Sequence, residues 1–316
     1  MKKFLFFLLL FLPALQASAQ TQSLNPETYL FASKDTCSLY MDVYRPAPGA
    51  PTTYEGLPKP TVIYVFGGGF VTGERDGEFL RKWFKRLTDN GYGVVSIDYR
   101  LGMKGYRMGK GLSGAYKASD QFSFSQQLGV EDLFSAISFM AANAEELGID
   151  TGNLVVSGSS AGAIISLAAE YEIVNGRTGT LPEGFNFKGV MSFAGGIIST
   201  SGAPEYKQAP CPTLLLHGTA DQAVAYKKYG AVGRGLWGSD FLAAQWEKKG
   251  FGGWCIYRFK DRSHSVAAYM DYLWDIEQAF LEKNVIQGNT RTIDALVDDP
   301  SLPDWFNIGL DDIYRK

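Results

Sequence analysis

Leu154-Val155-Val156-Ser157-Gly158-Ser159-Ser160-Ala161-Gly162-Ala163-Ile164-Ile165-Ser166-Leu167-Ala168-Ala169 is the stretch that decides the fold. An apolar, strand-like run enters Gly158-Ser159-Ser160-Ala161-Gly162, and a helix-forming run leaves it. G-x-S-x-G between a buried strand and a helix reads as a nucleophile elbow. Such a turn lifts the Ser160 hydroxyl above the strand end on a strained backbone. Side chains two residues to either side would collide, which is why glycines flank it. The helix that follows aims its free N–H groups at the same point. In a chain with 36 glycines the pentapeptide alone is a weak signal. Its strand–turn–helix setting is what gives it weight.

The flanking sequence repeats that grammar. Thr36 to Tyr44 alternates, with Leu39, Met41 and Val43 on one face, and reads as an antiparallel edge strand. Thr61 to Phe66, Gly93 to Asp98, Gly189 to Phe193, Thr213 to His217 and Trp254 to Phe259 are largely apolar, as buried strands are. Between them, Phe79, Leu80, Trp83, Phe84 and Leu87 recur at helical spacing, as do Val130, Leu133, Phe134, Ile137, Met140 and Ala144. A last helix is expected around Val266 to Leu281. Strands alternating with helices predict an α/β architecture, a mostly parallel central sheet covered by helices on both faces. Ligands of such sheets bind beyond the carboxyl ends of the strands. Two segments fit no layer: Leu101 to Gln127, and Ala225 to Gly253 with its aromatics Tyr226, Tyr229, Trp237, Phe241 and Trp246. Both follow strands at the ligand end and are expected to form a lid or rim. Tyr229 and Trp237 are candidate substrate contacts, because flat rings stack on ligand faces. The tail from Asn289 reads as packing, docked through Leu302, Trp305, Phe306 and Ile308.

Outside the fold, Lys2 and Lys3 precede the apolar run Phe4 to Leu12, and Ala17-Ser18-Ala19 offers a cleavage site. Residues 1–19 are thus expected to be a signal peptide, with residues 20–316 one catalytic domain that is periplasmic or secreted. The run is too short to span a bilayer, so no stable membrane insertion is expected. A net charge of −3 provides no basic field for nucleic acid. Cys37, Cys211 and Cys255 are too scattered for a zinc site or a disulfide framework, and one bridge is the most they allow. Neither metal nor cofactor is expected.

A serine hydroxyl needs a base to become nucleophilic. The sequence holds two histidines. His217 ends a strand and reads as a buried, hydrogen-bonded residue or a rim residue. His264, in Asp261-Arg262-Ser263-His264-Ser265, follows the last buried strand, where a base belongs in the order Ser, acid, His. Asp221, in His217-Gly218-Thr219-Ala220-Asp221, is the only carboxylate before Asp240 on the loop that should supply the acid. It would fix the imidazole tautomer; otherwise it is a turn-forming Asp. Asp98, Glu131 and Asp132 fall outside that order and read as structural. The N–H of Ala161 and those of the loop Phe66-Gly67-Gly68-Gly69-Phe70 are candidate oxyanion donors.

These residues, with Val43-Tyr44-Arg45-Pro46, Val95 to Leu101 and Ser263-His264, give a chain that resembles the α/β-hydrolase superfamily. Within it the chain is similar to esterases related to hormone-sensitive lipase and to bacterial acetylxylan and feruloyl esterases. The resemblance implies Ser160 as nucleophile, Asp221 as acid and His264 as base. It also implies Gly68, Gly69 and Ala161 as the oxyanion hole. Phe66 stands where the family usually has a His that supports the donor loop. The departure bears on how the donors are held, not on the mechanism. The expected activity is that of a serine carboxylesterase acting on small-molecule or oligosaccharide esters, including acetyl or feruloyl groups of plant-type polysaccharides. The rivals are a peptidase of the same fold acting on short peptides and an inactive fold serving as a binding module.

Overall fold

The computed structural model describes residues 24–34 and 37–314, so the expected signal peptide lies outside the described residues. Among the described residues nine strands form one sheet. They are β1 (Glu27–Lys34), β2 (Cys37–Tyr44), β3 (Thr61–Val65), β4 (Gly93–Ile97), β5 (Leu154–Ser159), β6 (Gly189–Phe193), β7 (Thr213–Gly218), β8 (Trp254–Phe259) and β9 (Ile293–Val297). Their spatial order is β1-β2-β4-β3-β5-β6-β7-β8-β9. β2 is antiparallel to both neighbours. Every pairing from β4 to β9 is parallel. β5, β6 and β7 are buried along their whole length, which explains their largely apolar sequence.

Helix Glu78–Asp89 buries Leu80, Trp83, Phe84 and Leu87, as its spacing predicts, but leaves Phe79 exposed. Helix Ala161–Val174 is buried on nearly every side and shows no polar face. Leu101 to Gln127, expected to form a lid or rim outside the layers, is largely helical. Helix Gly111–Ala142 is continuous for 32 residues and absorbs most of that segment. Its inner face there is built from Gly114, Ala118, Ser125, Gln126 and Gly129. These sit at helical intervals, but residues so small and polar carry no hydrophobic period. Around Val266 to Leu281 the structure has a short 3₁₀ turn, His264–Ala268, then helix Trp274–Phe280. β9 is an edge strand inside the tail read as packing, and only alternate residues are half-buried.

Ala225 to Gly253 is also more ordered than a loop. Strands Lys228–Ala231 and Arg234–Gly238 pair with Gly196–Ser199 in a small antiparallel sheet, and helix Ser239–Lys248 follows. This sheet meets helix Gly111–Ala142 through Gln126, whose amide donates to the Ile198 carbonyl and accepts from its N–H. Arg234 also pairs with Asp120 at 2.6 Å. The two segments expected at the rim therefore support each other.

Candidate active site

Ser160 sits between β5 and helix Ala161–Val174 with φ 53° and ψ −117°. That left-handed conformation is costly for a residue with a side chain. Its surroundings enforce it. A Cβ on Gly158 would lie 2.3 Å from the Gly162 backbone, and one on Gly162 would lie 1.9 Å from the Val65 carbonyl oxygen. Only glycine lets the turn close on β3 and on itself, as the elbow motif requires.

The loops after β5, β7 and β8 bring the remaining groups together. Ser160 Oγ lies 2.8 Å from His264 Nε2, and His264 Nδ1 lies 2.7 Å from Asp221 Oδ2. The carboxylate accepts at Nδ1, so Nδ1 carries the proton and Nε2 offers its lone pair to the serine hydroxyl. Asp221 Oδ1 accepts from the N–H groups of Ala223 and Val224, both at 2.9 Å. The residue thus makes the turn that local sequence suggests and orients His264 as well. Burial opposes its charge, but hydrogen bonds from His217 and His264 outweigh that and hold the carboxyl well below the usual range.

His217 is fully buried. Its Nε2 faces the Val224 carbonyl oxygen at 3.0 Å and Asp221 Oδ2 at 3.4 Å, while Nδ1 meets Ser239 Oγ at 2.8 Å. A carbonyl only accepts, so Nε2 is protonated and both ring nitrogens are engaged. Sequence reasoning left His217 either buried and hydrogen-bonded or at the rim; it is the former, and sequence did not reveal that it shares the Asp221 carboxylate. The four-residue spacing between the two at a strand end was the available signal.

The loop after β3 lies against the elbow: a Cβ on Gly67 would be 3.2 Å from Ser160 Cβ. Gly68, Gly69 and Phe70 all have positive φ, at 111°, 63° and 58°. The Gly68 carbonyl accepts from Val71 and Thr72, which turns the N–H of the same planar peptide, that of Gly69, the opposite way. Among the described residues the N–H groups of Gly68, Gly69 and Ala161 find no protein acceptor. Phe66 is buried against Tyr99 with ring centroids 4.5 Å apart, and the Tyr99 hydroxyl donates to the Phe66 carbonyl at 3.0 Å. Asp98 bonds Tyr40 and Arg75, and Asp132 bonds Arg100, both away from this cluster.

The two candidate substrate contacts separate. Tyr229 is exposed, but Trp237 is 1% exposed and packs on Phe241. Trp237 is therefore corrected from rim to interior: its strand pairs with Gly196–Ser199, which turns the indole inward.

The same fold occurs in solved enzyme structures. Esterase 2 of Thermogutta terrifontis superposes with a TM-score of 0.56 at 19% identity, covering 83% of this chain and 96% of that one. The chain has the α/β-hydrolase fold of these solved esterases. A model of the carboxylesterase family matches residues 14–169, just under half of the 316 residues. That span holds Gly68, Gly69, Ser160 and Ala161 but neither Asp221 nor His264. A probable N-octanoylanthranilate hydrolase of Rhodococcus erythropolis is 32% identical over 105 residues, 33% of this chain. A chlorogenic acid esterase of Aspergillus niger is 29% identical over 116 residues, 36% of this chain. The matched stretch spans 20% of the length of each of these two relatives. Among the described residues no helix is long and apolar enough to cross a membrane.

Proposed function

We propose that the protein hydrolyses carboxylic esters through an acyl-enzyme on Ser160. The carrying observation is the unbroken hydrogen-bond chain Ser160–His264–Asp221 at the carboxyl ends of three parallel strands. In this reading Ser160 Oγ attacks the ester carbonyl while His264 Nε2 takes its proton. Asp221 stabilises the imidazolium. The carbonyl oxygen, now anionic, is held by the N–H groups of Gly68, Gly69 and Ala161, preorganised donors of the kind that supply most of such catalysis. Collapse breaks the C–O bond to the alcohol, which leaves with the proton from His264. A water molecule then attacks the acyl group, His264 again takes and returns a proton, and Ser160 is freed. Acetyl or feruloyl esters of plant-type saccharides are the proposed substrates, and residues 2–19 support an exported enzyme.

Labelling with a fluorophosphonate, followed by mapping of the modified residue, tests the nucleophile. The label should fall on Ser160 and vanish in Ser160→Ala. Attachment to Ser159 with Ser160 untouched would refute the assignment. A panel of acetyl, butyryl and feruloyl esters, with and without sugar, run beside aminoacyl amides, separates esterase from peptidase. No turnover of any of them, with no label, would leave the binding-module reading.

A further inference from the structure

The segment from Asp299 to Tyr314 is tied to the site's loops after β3, β7 and β8. The Arg262 guanidinium donates to the Asp299 carbonyl, and Asp304 accepts from the hydroxyl of Ser263, next to His264. The Phe306 N–H donates to Ser265 Oγ at 2.7 Å, on the other side of His264. Gly309 bridges to Gln222, next to Asp221. Tyr314 then reaches the donor loop, where its hydroxyl donates to the Gly69 carbonyl at 2.7 Å. Burial pushes this phenol above its usual range, so it remains a donor. Its ring is wedged edge-on against Phe122 with centroids 4.9 Å apart.

We propose that Tyr314 is a positioning residue for the oxyanion hole, fixing the Gly69–Phe70 peptide so that the donor N–H groups stay aimed at the space above Ser160. The proposal builds on the hydrolase reading above. The loop needs such a restraint. Three consecutive residues with positive φ, one of them a phenylalanine, do not hold themselves. Glycines offer no side chain to fix their dihedrals. The Tyr99 hydroxyl pins the Phe66 carbonyl at the start of the loop, and the Tyr314 hydroxyl pins the Gly69 carbonyl near its end. Two tyrosines from distant parts of the chain thus bracket the glycines. They supply support of the kind that the family assigns to the histidine replaced here by Phe66.

The test is Tyr314→Phe, which deletes one hydroxyl and keeps the ring contact with Phe122. On p-nitrophenyl acetate, kcat should fall about tenfold with KM within about twofold. That is short of the ~10²–10³ lost when an oxyanion donor is removed outright. The rate of Ser160 phosphonylation should fall in proportion, because the phosphoryl oxygen occupies the same hole. Ile256→Val, a cavity in the core of β8, provides the stability control: its Tm should drop with kcat unchanged. Unaltered kcat and phosphonylation in Tyr314→Phe would overturn the proposal. So would a loss of kcat that Ile256→Val reproduces at the same drop in Tm. If the unmodified protein is phosphonylated at Ser160 but cleaves no ester, the esterase reading fails, and the phosphonylation rate of Tyr314→Phe still decides the role of Tyr314.

Discussion

His217 and His264 are the only histidines in this chain, and both touch the carboxylate of Asp221. Both are buried. They differ in what remains of each ring once its neighbours are served. His217, at the end of β7, spends Nε2 on Val224 and Asp221 and Nδ1 on Ser239. His264, on the loop after β8, spends only Nδ1 on the carboxylate, and its Nε2 meets a serine hydroxyl. A histidine becomes a base by keeping a lone pair in reach of a proton worth taking. By that criterion His264 is the proposed base, and His217 holds the carboxylate.

Five substitutions bear on this contrast, from the largest expected effect to the smallest. His264→Ala should lower kcat on an activated ester by up to about 10⁴-fold, the upper range for loss of a general base. Comparable activity in that variant would mean that His217 or another group takes the proton. Asp221→Asn should lower kcat by ~10²–10⁴-fold, because the amide can stabilise the wrong imidazole tautomer. It also has a signature in pH. The carboxyl is depressed in the folded state, so its contribution to stability is present above the unfolded value, about 3.9, and is lost as pH falls through the lower folded value. The Tm gap between the native protein and Asp221→Asn should therefore be widest near neutrality and narrow below about pH 4. A gap that stays constant with pH would detach the charge of Asp221 from folding.

His217→Asn should leave most of the activity, with kcat reduced less than about tenfold, since the base is untouched. Its cost is in stability: orphaned buried partners cost about 1–3 kcal/mol, and Tm should drop by several degrees in thermal melts. A loss of kcat matching His264→Ala at unchanged Tm would erase the distinction between the rings. Trp237→Ala and Tyr229→Ala extend the contrast to the segment that supplies Ser239. The buried indole should behave like His217, lowering Tm and affecting all esters alike. The exposed phenol should leave Tm in place and raise KM by only a few fold, for bulky esters alone. The reverse pattern would restore Trp237 to the rim.

The elements that sequence reveals best here are those whose chemistry is local. The buried strands announce themselves as apolar runs, and the elbow needs its glycines within five residues. Asp221 and His264 follow from strand order once the elbow is placed. What was not legible is held together across the chain. Helix Gly111–Ala142 hides its inner face in glycine, alanine, serine and glutamine, which pack well but give no period. β9 is half-exposed and takes its partner from β8. Trp237 looks like a rim aromatic until its strand pairs with residues 196–199 and turns it inward. The contacts of Tyr99 with Phe66 and of Tyr314 with Gly69 join positions 33 and 245 residues apart, and no window of sequence records them.

The hydrogen bond between Ser160 and His264 spans 104 residues of chain. Translation proceeds at roughly 5–20 residues per second, so the serine leaves the ribosome about 5–20 seconds ahead of its base. During that interval Ser160 lacks the histidine that the proposed reaction needs as its base. Chains halted after Lys260 should therefore escape a fluorophosphonate that labels the finished protein. Competence for the proposed chemistry then arrives late in synthesis.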